Sequence, residues 1–137
     1  MLQNAVAQYR KVQVQTISQG ELLLALYDGL FRFLNEAKDC LDKGDANRAR
    51  TLNSKSYAIL SELSIALDPE IAPELCANLQ ALYSFCMDRI RGANRSGTSQ
   101  PLAEVIRVLT PLREAWQIAV PQAMKEGVQF GPRASQP

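Results

Sequence analysis

No histidine occurs among the 137 residues. Histidine is the commonest general base near neutral pH and the commonest metal ligand. Without it a Ser-His-Asp triad, a Cys-His pair, a zincin helix and the Glu-x-x-His pairs of di-iron bundles are all excluded. Cysteine is scarce too. Cys40, Cys76 and Cys86 are odd in number and match no zinc spacing, so they read as small buried hydrophobes in a reducing compartment. Neither sign of charge dominates. Residues 1–68 hold 8 basic and 8 acidic side chains, residues 69–137 hold 7 and 6, and the net charge is +1. A phosphate-binding surface is therefore not expected, and Arg89, Arg91 and Arg95 read as a solvated helix face. No apolar run approaches the roughly 18 residues of a membrane span, and MLQNAVAQYRK lacks the apolar core of a signal peptide. A cytoplasmic protein, without membrane insertion, is expected. There is no Gly-rich phosphate loop and no paired set of carboxylates. An enzyme is not expected, and neither a metal nor a cofactor is called for.

What is present is helical. Ser18 and Glu21 form an S-x-x-E capping box, so a long helix should start near Gln19 and run to about Lys43, with Gly44 as its stop. Its seam is Leu23, Leu26, Leu30, Leu34, Ala37 and Leu41, at spacings of three and four. Asp45 can cap a second helix with the seam Ala49, Leu52, Ser56, Leu60, Leu63 and Leu67, broken at Asp68-Pro69. A third should run from about Glu70 to Ala93 along Ile71, Leu75, Leu79, Leu82, Cys86 and Ile90. After the loop 94–98, Ser99 can cap a fourth, with Pro101 in its first turn and the seam Leu102, Val105, Leu109, Leu112, Trp116 and Ala119. Pro111 should kink this helix and Pro121 should end it. Short connections make successive helices antiparallel neighbours. The expected fold is all-α: an antiparallel up-down four-helix bundle over 18–120, preceded by a short N-terminal helix and extended strap over 1–17 and followed by a mobile tail over 121–137.

The first long helix has more apolar circumference than one bundle core requires. Projected at 100° per residue, its apolar arc spans roughly 200°, against about 100° or more for an ordinary surface helix. Leu22, Leu26 and Phe33 lie on one flank, and Tyr27, Phe31 and Leu24 on the other. Something should cover the remainder, either the same chain or a partner. Leu2, Ala5, Val6 and Tyr9 form one face of a helix too short to stand alone. Val12 and Val14 then alternate with polar residues as a strap would. Core packing and a binding groove both account for the aromatics Tyr27, Phe31, Phe33, Tyr83, Phe85 and Trp116. Asp28-Gly29 inside the helix is unusual. The glycine costs about 1 kcal/mol relative to alanine, and either admits another backbone or is simply tolerated.

The segment YRKVQVQTISQGELLLALYDGLFRFLNEA, from Tyr9 to Ala37, resembles the N-terminal pattern of the flagellar secretion chaperone family FliS. Tyr9, Val12, Val14, Thr16, Ser18, Leu22, Leu23, Leu26, Tyr27, Asp28 and Gly29 carry the likeness. Weaker matches follow in order: a second helix ending at Leu67-Asp68, the stretch with Asn78, Leu79, Leu82 and Tyr83, and Leu112 to Trp116. Pro111 and Gly20 depart from the pattern. The resemblance implies a non-enzymatic chaperone that binds the C-terminal segment of flagellin, masks its apolar helix face and contacts a component of the flagellar type III export gate. With the surplus arc, it directs attention to Leu22, Leu24, Leu26, Tyr27, Asp28, Phe31, Ile106 and Trp116 as groove residues and to Tyr9, Val12 and Val14 as strap residues. A helical scaffold that uses the same surplus for self-association, as a homodimer, is the alternative.

Overall fold

The computed structural model describes residues 18–127. The strap with Tyr9, Val12 and Val14, and the chain beyond Gly127, lie outside them. Four helices follow one another: α1 (Gln19–Asp42), α2 (Ala46–Ile65), α3 (Pro73–Ser96) and α4 (Gln100–Lys125). Each packs on its two neighbours in the ring α1–α2–α3–α4–α1, which is the up-down bundle expected. No helix among the described residues is long and apolar enough to cross a membrane.

Local chemistry sets most boundaries. The Ser18 hydroxyl accepts from the Glu21 N–H at 3.0 Å, and the Asp45 carboxylate from the Arg48 N–H at 3.2 Å. These bonds satisfy donors that the first helical turn leaves free. Gly44 (φ 83°) and Gly97 (φ 69°) take the left-handed conformation that ends a helix, at little steric cost to glycine. Because Gly97 is the stop, α3 continues to Ser96, and the expected loop shrinks to 97–99. Ser99 makes no capping bond. Its hydroxyl donates instead to Asp42 at 2.5 Å, tying the end of α1 to the start of α4.

Pro121 does not end α4, which runs on to Lys125 with Pro111 and Pro121 both inside it. A proline in a helix orphans the carbonyl four residues earlier. Here Pro111, Pro121 and the residues so affected, Arg107 and Gln117, are all exposed, so water can satisfy those carbonyls.

The core is one cluster built from Tyr27, Leu30, Phe31, Leu34, Leu52, Leu60, Leu79, Tyr83, Cys86, Ile90, Leu102, Val105 and Leu109 with their neighbours. The α3 seam keeps Leu79, Cys86 and Ile90 in the core but departs from expectation at its start and at Leu82. Cys76 and Tyr83 turn inward, while Leu75 is 50% and Ile71 63% exposed. Ile71 precedes the helix, which starts at Pro73, so helical periodicity does not govern it.

Gly29 faces α2. A Cβ there would meet the Ile59 side chain at 3.6 Å, an ordinary contact. No backbone approaches closely, so the glycine is tolerated rather than required by the bundle. Gly29→Ala should raise stability by about 0.5–1 kcal/mol, read as a higher urea midpoint at unchanged slope. A lower midpoint would show that the site needs more room than the bundle reveals.

Candidate docking groove

A square bundle covers each helix from two sides, and this accounts for much of the wide arc of α1. On the α2 side, Phe33 lies between Arg32 (5.1 Å) and Lys55 (5.4 Å). On the α4 side, Arg113 sits 4.7 Å over the Phe31 ring and pairs with Asp28 at 2.5 Å. Tyr27 and Phe31, expected on an open flank, are therefore core residues, 0% and 6% exposed. The Tyr27 hydroxyl meets the Tyr83 hydroxyl at 2.6 Å across the bundle diagonal. Burial raises both phenols above their usual pKa and pushes the neighbouring Cys86 thiol up to about 12.

The surplus persists where α1 begins. Leu22 is 49% exposed, and Leu23, Leu24 and Leu26 are half-buried. At this end α2 finishes and α3 starts, and the four helices leave a groove of about 320 Å³ between them. Leu23 contributes from α1, Leu63 from α2, Leu75, Cys76, Leu79 and Tyr83 from α3, and Trp116 from α4, with Leu67 and Ile71 in the connecting loop. Asp68 is the one charged residue in the lining, and its backbone carbonyl accepts from the Cys76 thiol at 3.2 Å. The volume falls at the lower end of the range of about 300–1,000 Å³ typical of ligand cavities. Exposed Ile71 and Leu75 form its rim. Its lining is mostly apolar side chains. It can bury apolar side chains from something else.

Of the residues singled out in the sequence, Trp116 lines this groove. Leu22, Leu24, Leu26 and Ile106 do not, and Leu26 and Ile106 pack against the core from its edge. Leu63, Leu67, Ile71 and Leu75 were missed as groove residues. All four fit a helical seam, but Ile71 precedes α3 and Leu75 lies in its first turn, beside the inward-facing Cys76.

Residues 2–123 match the model of a family described as flagellar protein FliS. The chain belongs to the FliS family. It is 32% identical over 125 residues to the flagellar secretion chaperone FliS of Bacillus subtilis, covering 91% of this chain and 92% of that one. Against the flagellar secretion chaperone FliS of Salmonella typhimurium it is 32% identical over 111 residues, covering 80% and 82%. The flagellar secretion chaperone FliSB of Pseudomonas aeruginosa is 29% identical over 116 residues, covering 82% and 92%. The FliS match reaches all four helices that line the groove and stops two residues short of the end of α4. Among the described residues, no cluster of His, Cys, Asp or Glu could hold a metal ion.

Proposed function

We propose that this FliS-family protein is a cytoplasmic export chaperone that binds the C-terminal segment of flagellin, masks its apolar helix face against premature polymerisation and delivers it to the flagellar type III export apparatus. The observation that carries the reading is the apolar groove at the open end of the bundle, rimmed by exposed Ile71 and Leu75, in a chain of this family. An unassembled terminal segment exposes an amphipathic face that associates with its own kind. A groove that takes this face hides it, and the occupant folds as it binds at an ordering cost of about 2–5 kcal/mol. That cost keeps the complex releasable. Half-exposed Leu22 and half-buried Leu24 extend the apolar contact along α1, and the strap residues Tyr9, Val12 and Val14 supply further contact from the preceding chain.

Calorimetry of the full chain with a flagellin C-terminal peptide should show one-to-one binding with a negative heat-capacity change, the mark of apolar burial. No heat at about 0.1 mM at any of three temperatures, where micromolar affinity is readily seen, would sink the proposal. Sedimentation of the same mixture addresses the scaffold alternative. A homodimer that the peptide neither dissociates nor joins would favour self-association.

A further inference from the structure

The half of the bundle away from the groove carries a chemically opposite feature. A cavity of about 390 Å³ lies between α2 and α3, lined by Asn53, Ser54, Tyr57, Ile90, Arg91 and Asn94. No carboxylate borders it. α2 has none from Ala46 to Ser61, and α3 has none from Arg89 to Ser96. Arg91 is part of the lining, and two further arginines lie one helical turn from lining residues. Arg50 lies one turn before Ser54, whose hydroxyl donates to the Arg50 carbonyl at 3.0 Å. Arg95 lies one turn beyond Arg91, and its guanidinium folds back to 3.9 Å from where a Cβ on Gly92 would be. Among the described residues none of these three has an ion pair, whereas Arg48, Arg89 and Arg113 each hold a carboxylate.

Arg91 carries most of the argument. The sequence offers it Asp88 one turn away as an ordinary surface pair. The structure turns it onto Tyr57 instead, 4.9 Å over the ring and donating to the hydroxyl. That clamp fixes the guanidinium at the cavity before any ligand arrives, so less side-chain freedom is lost on binding. A guanidinium has five N–H donors, and Tyr57 occupies few of them. Beneath lies a buried polar floor. Asn53 is fully buried and donates to Asn94 at 2.8 Å, joining the two helices beneath the cavity.

We propose that this α2–α3 face docks an acidic segment of a partner polypeptide, with an Asp or Glu carboxylate seated on Arg91 and flanked by Arg50 and Arg95. Charge-assisted bonds from a fixed guanidinium are the strong kind. The site stands apart from the apolar groove and does not depend on what the groove holds, so both can be filled at once.

NMR titration of the full ¹⁵N-labelled chain tests this with three probes: a short Glu-rich peptide, its Gln-for-Glu counterpart and a single-stranded oligonucleotide of equal charge. The Glu peptide should shift the amides of Asn53, Tyr57, Arg91 and Asn94, and the Gln peptide should not. The double variant R50E/R95E, altered at two exposed positions, should weaken the Glu peptide by about tenfold or more and leave binding of the flagellin peptide unchanged. Arg91→Gln should weaken the Glu peptide comparably. Equal shifts with the Gln peptide, or full affinity in R50E/R95E, would overturn the proposal. An oligonucleotide that binds as tightly as the Glu peptide would overturn it too, because the face would then be a general polyanion surface.

Discussion

Leu75→Asp should weaken binding of the flagellin C-terminal segment by about 100-fold, or roughly 2.7 kcal/mol, while the bundle stays folded. Leu75 is half exposed on the groove rim, so the free protein loses little packing. It also lies in the first turn of α3, which starts at Pro73, where a carboxylate is favoured by the helix dipole. In the complex that carboxylate would be pressed against an apolar occupant with no partner, and burying it costs several kcal/mol. Phe85→Asp is the matched control, since Phe85 is 44% exposed on the same helix but outside the groove. Calorimetry should find it within about twofold of the parent protein, given the small effects of surface changes away from a binding site. Equal loss from both variants would mean that added charge, not the groove, governs binding. No loss from Leu75→Asp would place the flagellin segment elsewhere.

Tyr27→Phe and Tyr83→Phe should each destabilise the bundle by about 1–3 kcal/mol, because each leaves the other hydroxyl buried without its partner. The double variant should cost no more than either single one, since it removes both polar atoms together. Urea unfolding of the four proteins closes the cycle, and simple additivity would show that the 2.6 Å contact contributes nothing as a pair. Alkaline pH should act on the same pair. Burial raises both phenols, so the folded state keeps protons that the unfolded chain gives up near pH 10. More protons bound in the folded state means stability falls as pH rises. The contribution is whole below about pH 10 and lost above it, and Cys86, raised from 9 to about 12, adds the same trend from about pH 9. In the double Phe variant the alkaline loss should be shallower.

The bundle was legible because its signals are local. The Ser18 and Asp45 caps, the Gly44 stop and the spacing of leucines in α1 and α2 are set by neighbours within a turn or two, and all appear as read. The misreadings share a cause in tertiary context. Pro121 looked like a terminus because a proline breaks a hydrogen bond, but the broken bond faces water. Tyr27 and Phe31 looked surplus because an isolated helix projection does not show that a bundle helix packs on two sides. Ile71 and Leu75 looked like core because they keep the α3 spacing, while the true start at Pro73 and the inward turn of Cys76 and Tyr83 depend on what α2 and α4 present. Arg91 looked like part of a solvated face because spacing along one helix is blind to Tyr57 on another. The main family pattern lay in Tyr9 to Ala37, whereas the groove draws its lining from stretches as far apart as Leu23 and Trp116.

Because each helix lends a wall to the groove, a guest seated there would act as a clasp on the open end of the barrel of rods. Loading should stiffen the whole molecule, with the melting point climbing as guest concentration climbs. The linkage also runs backwards: whatever prises those four ends apart must loosen the guest. On the proposed function, an unloading partner would need no chemistry of its own, only a preference for parted helix ends.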